Sequence, residues 1–227
     1  HILPHDHPLQ SRLHDSPDFQ NEVGLADALL HPQDRAYSVP QVFELLEGCG
    51  LKFGRWLRQA PYLPMCSLLA KTAFASRINQ LTSEQQYTVL ELFRGTMARH
   101  SFIAHHAEQV DIKSQVCFDR DEWQEFIPIR MPETILVQEK LPANVAAVLI
   151  NQTHTFTDLY LPINKVEKDW FDAIDGNKSI TEIMQKTHPG AGTEIEGNIK
   201  DLFERLWRYD QVVFDTSQAL FANRAIG

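Results

Sequence analysis

The sequence predicts a layered α/β unit in the N-terminal part of the chain and a smaller α+β unit in the C-terminal part. Two observations predict the first unit: a helix with clear start and stop signals covers residues 39–49, and a strand-like segment follows it directly. One observation predicts the second unit, because the C-terminal part has the pattern strand, helix, helix, helix, strand. With 227 residues and 43% hydrophobic side chains, the chain can bury the cores of one or two domains.

The helix at residues 39–49 has the strongest signals. Ser38 and Gln41 form an S-x-x-Q capping box, and Pro40 lies in the first turn, where the N–H that proline lacks is not needed. Apolar side chains recur at helical spacing and therefore share one face of the helix: Val42, Leu45, Leu46 and Cys49. Two glycines then end the helix, and residues 51–59 are predicted to form a strand.

Two more helices and a second strand are predicted before the middle of the chain, at residues 64–79, 83–98 and 100–106. The second of these helices carries an apolar stripe, which we interpret as core rather than as a cofactor site: Tyr87, Leu90, Phe93 and Met97. The strand contains His105 and His106, whose side chains point to opposite faces and therefore do not form a metal-binding pair.

The chain becomes polar at residues 107–122, and we place a domain boundary there. The N-terminal unit then covers residues 1–110 and the C-terminal unit covers residues 111–227. After the boundary, prolines separate short strand-like segments. Residues 143–150 fit either a strand or a helix, and periodicity does not decide between them.

Three helices and a final strand are predicted in the C-terminal part. Capping boxes that begin at Asn164 and Ser179 start the first two helices, the third covers residues 194–209, and the strand covers residues 211–216. This order is typical of a small winged-helix domain. We expect its core to consist of the apolar faces of these helices: Trp170, Phe171, Ile174, Ile183, Leu202, Phe203, Leu206 and Trp207.

The charge balance argues against nucleic-acid and membrane partners. There are 21 Lys and Arg residues against 30 Asp and Glu residues, and the resulting net charge of −9 repels phosphate groups. Many winged-helix domains insert their third helix into DNA, but residues 111–227 hold 19 acidic and 12 basic side chains, so a basic footprint is missing. No apolar run reaches the roughly 18–20 residues that span a bilayer.

Cysteine and histidine usage favours a cytoplasmic protein without a metal site. Cys49, Cys66 and Cys117 are odd in number and widely spaced, which argues against a disulfide framework. The N-terminal sequence HILPHDHP contains three histidines, but its prolines prevent helical spacing and no Cys or Glu cluster completes a site. The first residue is His rather than Met, and we interpret the chain as a piece of a longer protein that lacks its N-terminal part.

Residues 24–64, GLADALLHPQDRAYSVPQVFELLEGCGLKFGRWLRQAPYLP, resemble the C-terminal part of the catalytic domain in a group of bacterial class I S-adenosylmethionine-dependent methyltransferases. In that group a D-LLH-x-x-DR-x-Y-[ST]-VP motif precedes the last helix of a Rossmann-like sheet. The matching positions here are Leu29, Leu30, His31, Asp34, Arg35, Tyr37, Ser38, Val39 and Pro40. Residues 141–183 are similar to a helical module that these proteins carry after the methyltransferase fold.

The resemblance implies the C-terminal portion of a Rossmann-like methyltransferase sheet with inserted helices, followed by a small α+β winged-helix-like domain. It also implies S-adenosylmethionine as the cofactor of the full-length protein. Such enzymes bind the cofactor near their N-terminus, through a Gly-rich E/D-x-G-x-G-x-G loop and an acidic residue that holds the ribose. This chain has no such loop, since GCG at residues 48–50 closes a helix. We therefore expect no cofactor-binding residue here, and a missing N-terminal half as partner.

The resemblance places residues 25–40 over the acceptor pocket. His31 would then act as a base, Asp34 and Arg35 would orient the substrate, and Tyr37 would form a wall. The alternative, which the sequence favours, is that Asp34 and Arg35 pair to brace the turn before the helix, with Tyr37 packed beneath them.

Two hypotheses about function remain open at this point. The first is the C-terminal part of a methyltransferase, in which residues 111–227 form a regulatory or substrate-covering domain. The second is a protein-interaction or regulatory module that has no catalytic function. A homodimer or another protein partner is compatible with both hypotheses.

Overall fold

The structure is a computed structural model, and it describes residues 21–24, 26, 35–97, 99–106, 108, 116–190 and 192–217. Within these residues the protein is mixed α/β with small antiparallel sheets. We call the described residues up to 108 the N-terminal unit and those from 116 onward the C-terminal unit. The elements follow in the order α1 (Val39–Gly48), β1 (Leu51–Trp56), α2 (Ala75–Asn79), α3 (Ser83–Arg94), β2 (Phe102–His106), β3 (Ile127–Arg130), β4 (Thr134–Val137), β5 (Ala147–Asn151), β6 (Leu161–Ile163), α4 (Lys165–Asp172), α5 (Ile180–Thr187), α6 (Thr193–Arg208) and β7 (Val212–Asp215).

The helices α1 and α3 form where their start signals predict them. α1 begins after Ser38, whose N–H donates to Gln41 Oε1 at 2.9 Å, and Pro40 lies in its first turn. α3 begins after Thr82, which is part of a second capping box, and ends at Gly95 with a φ of +64°. Glycine adopts this left-handed conformation without the steric penalty that a Cβ brings, so it ends the helix cleanly.

The continuous helix predicted at residues 64–79 is wrong. The structure has short 3₁₀ turns, at Ala60–Tyr62, Pro64–Cys66 and Leu68–Lys71, before the short helix α2. Hydroxyl side chains compete with helical hydrogen bonds here, because Ser67 Oγ accepts the Leu69 N–H at 3.0 Å and Thr72 Oγ1 donates to Leu69 O at 2.8 Å. The segment therefore stays irregular.

β1 and β2 pair as an antiparallel ladder that begins with Leu51 opposite His106. The register shifts next to Gly54, where an added Cβ would lie 3.1 Å from Ile103 O, so the close approach of the strands favours glycine. All strand pairs among the described residues are antiparallel. The parallel strands of a Rossmann-like sheet therefore stay a prediction.

The C-terminal unit has the predicted order of strand, three helices and strand, from β6 through α4, α5 and α6 to β7. The open choice at residues 143–150 is decided in favour of a strand, since side chains of β5 alternate between buried and half-buried. β4, β5 and β6 form one antiparallel sheet, whereas β7 pairs with β3. These elements fit an α+β unit, and the winged-helix assignment stays a prediction.

Each unit has its own hydrophobic cluster. The smaller cluster joins α1 to β1 and the turn that follows: Val39, Val42, Leu46, Trp56 and Tyr62. The larger cluster fills the C-terminal unit and buries every predicted core residue except Trp207, which is partly buried and packs against it. A third, small cluster of Ala60, Cys66 and Leu159 joins the two units.

The helices are amphipathic. α3 buries Leu90 completely but leaves Phe93 47% exposed, so the prediction that Phe93 belongs to the core is wrong. α6 has acidic residues in its first turn and basic residues in its last, which suits the helix dipole. In the part of the chain that the structure describes, no helix is both long enough and apolar enough to span a membrane.

Trp170→Ala should lower the free energy of unfolding by about 3–5 kcal/mol, the range for emptying a large aromatic site. Trp170 is 1% exposed, and its indole N–H donates to His188 Nδ1 at 3.0 Å. Val166→Ala, on the same helix but 41% exposed, is the matched control and should change stability by less than about 0.5 kcal/mol. Urea unfolding measures both, and equal losses would contradict this assignment of the core.

Candidate functional site

The structure describes two of the four candidate site residues, since His31 and Asp34 lie outside the described residues. Arg35 and Tyr37 are both at the surface, with the guanidinium carbon 5.1 Å from the centre of the tyrosine ring. The bracing hypothesis expects Arg35 to be buried, whereas its side chain is exposed. The predicted pair with Asp34 falls outside the described residues.

The segment that carries Arg35 and Tyr37 leads into the N-terminus of α1, where Glu91 of α3 acts as a cap. The Val39 N–H donates to Glu91 Oε2 at 2.9 Å, although the two residues lie 52 positions apart. A carboxylate at this place accepts an amide that has no partner within the helix, and the helix dipole favours its negative charge. The first residue of α1 is therefore tied to α3.

Glu91 is also the end of a hydrogen-bond chain. Its Oε1 lies 3.2 Å from His100 Nε2, and His100 Nδ1 lies 2.7 Å from the Tyr62 hydroxyl. The Tyr62 ring stacks on Trp56, with ring centroids 4.0 Å apart and an interplanar angle of 9°. Burial raises the pKa of Tyr62 above its ordinary value, and the charge of Glu91 raises it further. The hydroxyl therefore stays protonated at neutral pH.

Asp210 joins the two units through its carboxylate. It lies in the turn between α6 and β7 with a φ of +54° and is 7% exposed. Its Oδ1 accepts the N–H of Gln59 at 3.0 Å, and its Oδ2 accepts the N–H of Ala60 at 2.9 Å. Both amides start the 3₁₀ turn that follows β1, so one side chain of the C-terminal unit caps a turn of the N-terminal unit.

The turn around Asp210 is held from several directions. Asn151 Nδ2 donates to Asp210 O at 2.6 Å, and Gln59 Nε2 donates to Trp207 O at 3.3 Å. Asn151 Oδ1 in turn accepts from the Thr153 hydroxyl at 2.6 Å. A buried polar group of this kind is stable only when its partners are in place, and here backbone and amide groups provide them.

Arg94 makes a second connection between the units. Its Nε donates to Pro61 O at 2.9 Å, and its guanidinium pairs with Asp158 at 2.8 Å, with both side chains at most 10% exposed. Asp158 also accepts the Leu68 N–H at 3.1 Å, and Arg94 lies 4.3 Å from the centre of the Phe156 ring. Because both partners are buried, removal of either one would leave an uncompensated charge in the interior and would destabilise the protein.

Burial shifts the pKa values of the two titratable groups at the joint in opposite directions. Burial raises the pKa of Asp210 to about 6, although its bonds to the Gln59 and Ala60 amides work against this rise. His154 Nε2 lies 3.4 Å from Asp210 Oδ2, and burial lowers the pKa of this histidine to about 4. At neutral pH the joint therefore contains an ionised carboxylate beside an uncharged imidazole.

A cleft of about 140 Å³ opens beside this joint, between the end of β1 and the C-terminal unit. Its polar lining consists of Arg55, Arg58, Glu133, Asn151, Thr153 and Asp210. Burial lowers the pKa of Arg55, and the charge of Asp210 opposes this shift. Arg55 Nε and Glu133 Oε2 are buried without a hydrogen-bond partner among the described residues. A space of this size and polarity suits a few water molecules.

A larger cleft of about 650 Å³ lies between α4 and α6. Its polar groups bind one another, since Glu167 pairs with Arg205 and the Trp170 indole N–H donates to His188 Nδ1. The groups that could act on a ligand are therefore largely engaged. We place the candidate site at the N-terminus of α1, where Arg35 and Tyr37 are exposed above a fixed support.

No protein-family model matches the chain. Within the described residues, no group of three or more His, Cys, Asp or Glu side chains is arranged to hold a metal ion. The function therefore has to be inferred from the sequence resemblance and from the arrangement of these side chains.

Glu91, Tyr62 and Asp210 belong to hydrogen-bond networks that were not predicted from the sequence. Glu91 occupies a polar position in an amphipathic helix, and Tyr62 follows a proline in a segment without periodicity. Asp210 alone carried a local signal, because an aspartate between a helix and a strand is typical of a left-handed turn. That signal predicts a turn but does not identify the amides that Asp210 binds.

The free energy of unfolding should depend on pH in opposite directions through Asp210 and His154. The pKa of Asp210 is raised from 3.8 to about 6, so the folded state binds the proton more tightly than the unfolded state. The stability that this proton contributes is present at low pH and is lost as the pH rises through about 6. The pKa of His154 is lowered from 6.5 to about 4, so its contribution is present above pH 6.5 and is lost as the pH falls through about 4.

Variants at the two positions separate these contributions. Relative to wild type, His154→Gln should gain stability as the pH falls from 6.5 to 4, and Asp210→Asn should gain stability as it rises from 4 to 6, each on the order of 2 kcal/mol. Urea titrations at a series of pH values give the differences. Curves that run parallel to the wild-type curve for both variants would show that neither group is perturbed.

Proposed function

We propose that this chain is the C-terminal part of an S-adenosylmethionine-dependent methyltransferase. Residues 25–40 would border the methyl acceptor, and the C-terminal unit would be a regulatory or substrate-covering module. The observation that carries the proposal is the combination of the motif at residues 29–40 with the exposure of Arg35 and Tyr37 directly before a capped helix. Side chains that bind a substrate have to be accessible and yet held by a rigid support.

The chemistry of methyl transfer suits a segment of this kind. Transfer from a sulfonium is an in-line displacement that depends on positioning and on removal of a proton from the acceptor. On this proposal His31 acts as the base, while Asp34 and Arg35 orient the acceptor and Tyr37 forms one wall. S-adenosylmethionine itself would bind to the part of the protein that precedes this chain.

The contacts between the units support a fixed role for the C-terminal unit. Asp210 and the Arg94–Asp158 pair join it to the segment after β1. A domain that is merely tethered would not need buried, charged contacts of this kind. The unit is therefore suited to hold or shape the acceptor side of the enzyme.

A module without catalytic function is the second candidate. Exposed apolar side chains on α1 and α3 favour it, because such residues often mark interaction surfaces: Leu45, Leu92 and Phe93. The residues encoded upstream of His1 distinguish the two candidates. A strand, a GxGxG turn and a helix would favour the enzyme.

The 227-residue chain should not bind S-adenosylmethionine appreciably, because it lacks the Gly-rich loop and the acid that holds the ribose. Isothermal titration calorimetry measures this directly. A longer chain that includes the upstream residues is the matched control and should bind the cofactor. Micromolar binding to the 227-residue chain would contradict the assignment of the cofactor half to the upstream part.

Arg35→Ala should leave the melting temperature of the full-length protein nearly unchanged and should lower kcat/KM about tenfold or more, since about 1.4 kcal/mol of lost positioning gives that factor. Transfer of labelled methyl groups per folded molecule measures the rate. Arg77→Ala, another exposed arginine, is the control. A loss of stability with unchanged turnover would instead support the bracing role.

A further inference from the structure

We propose that the C-terminal unit positions residues 35–38 through a continuous series of contacts that runs from Asp210 to Glu91. The inference rests on the proposed function in one respect, namely that this segment borders the methyl acceptor. Glu91 is then a positioning residue, because it acts on the segment through the first amide of α1 and does not itself contact the acceptor.

The series of contacts begins at the joint between the units. Asp210 binds the amides of Gln59 and Ala60, and the 3₁₀ turn that they start ends at Tyr62. The Tyr62 N–H donates to Gln59 O at 2.8 Å, which closes the turn. Ala60 is completely buried and Tyr62 is 5% exposed, so the turn has little room to move. The position of the Asp210 carboxylate therefore sets the position of the Tyr62 hydroxyl.

The middle of the series of contacts joins Tyr62 to Glu91 through the two ring nitrogens of His100. The Tyr62 hydroxyl is protonated, and its partner at 2.7 Å is His100 Nδ1. His100 Nε2 carries a proton both in the tautomer whose Nδ1 accepts from this hydroxyl and in the imidazolium whose Nδ1 donates to it. This N–H faces Glu91 Oε1 at 3.2 Å. Both ring nitrogens of His100 thus bind a neighbouring side chain, and the stacked Trp56 ring restricts the rotation of Tyr62.

The second oxygen of Glu91 completes the connection. Val39 is the first residue of α1, and its amide has no acceptor within the helix. Glu91 Oε2 accepts this N–H at 2.9 Å. The next residue, Pro40, has no N–H and needs no acceptor. Val39 is completely buried. Tyr37 lies two residues and Arg35 four residues before Val39, so the direction of their backbone depends on where the Val39 amide is held. A displacement of the joint at Asp210 would therefore be transmitted to the candidate site.

Hydrogen exchange of the Val39 amide tests the inference in the 227-residue chain. Amides in the first turn of a helix exchange fast unless a side chain accepts them, so protection at Val39 reports the bond to Glu91. Glu91→Gln has one acceptor oxygen where Glu has two, and it should accelerate exchange at Val39 about tenfold, as expected for losing a bond to a charged group.

Two variants at a distance test the connection itself. Tyr62→Phe keeps the ring stacked on Trp56 but removes the hydroxyl. Asp210→Asn replaces one of the two oxygens that accept the Gln59 and Ala60 amides of the 3₁₀ turn. Each should accelerate exchange at Val39 about threefold, a modest effect because it acts through intermediate bonds. Asp201→Asn, at an exposed position of α6, is the control and should have no effect. Circular dichroism establishes that each variant is folded.

The double variant Tyr62→Phe/Asp210→Asn distinguishes one series of contacts from two independent effects. If both residues act through the same series of contacts, the exchange rate of the Val39 amide in the double variant should not exceed the rate in the faster single variant. Effects that multiply would overturn the inference. Acceleration by Glu91→Gln alone would also overturn it, because Glu91 would then be a local cap without a connection to Asp210.

The exchange experiment does not depend on methyl transfer, so its failure differs from failure of the proposed function. In the full-length protein, Tyr62→Phe should raise KM for the acceptor about threefold while leaving the Kd for S-adenosylmethionine unchanged. This split supports positioning of the acceptor side. An equal loss of affinity for both molecules would indicate a general loss of structure and would overturn the inference.

Discussion

The two hydrogen bonds from the Gln59 and Ala60 amides to the Asp210 carboxylate are the contact on which the described structure most depends. A 3₁₀ turn leaves its first amides without partners, and a buried carboxylate needs donors from every side. Each requirement satisfies the other, so the two units meet at one defined place. Removing the carboxylate would leave two donors unpaired at a junction that water does not fully reach, which costs far more than an exposed hydrogen bond contributes.

The same contact explains why the joint is specific as well as stable. Burial disfavours the ionised form of Asp210, and the two amides together with the charges of Arg55 and Arg58 partly offset this effect. The amide bonds are directional, so they favour one placement of the carboxylate. A purely apolar junction of the same area could slide, because apolar contacts have no preferred direction. Arg94 and Asp158 add a second directed contact beside the small apolar cluster around Ala60. Polar groups therefore set the relative position of the units where they meet, and apolar groups supply the buried surface area.

The exposed segment before α1 and the side chains that support it matter for the proposed role of the protein as part of an enzyme. The candidate site lies on an exposed segment, where Arg35 and Tyr37 can reach another molecule. Its support is half-buried, and within it Glu91 caps α1 and is itself oriented through His100 and Tyr62. Accessible groups on a rigid support are the usual arrangement for binding and positioning. On the proposed function, the C-terminal unit contributes to the site indirectly, because it holds the turn on which Tyr62 lies.

The sequence by itself determined the elements whose signals are local. Capping residues and apolar periodicity predicted α1, α3 and the three helices of the C-terminal unit, because both act within a few residues of the chain. Only the tertiary structure decided that residues 64–79 form short turns followed by the short helix α2, because the C-terminal unit binds the freed backbone: Asp158 accepts the Leu68 N–H, and the Tyr209 hydroxyl donates to Met65 O. It also decided the roles of Glu91 and Asp210. Their partners lie 52 and 151 positions away, and no local pattern encodes which distant amide a carboxylate will meet.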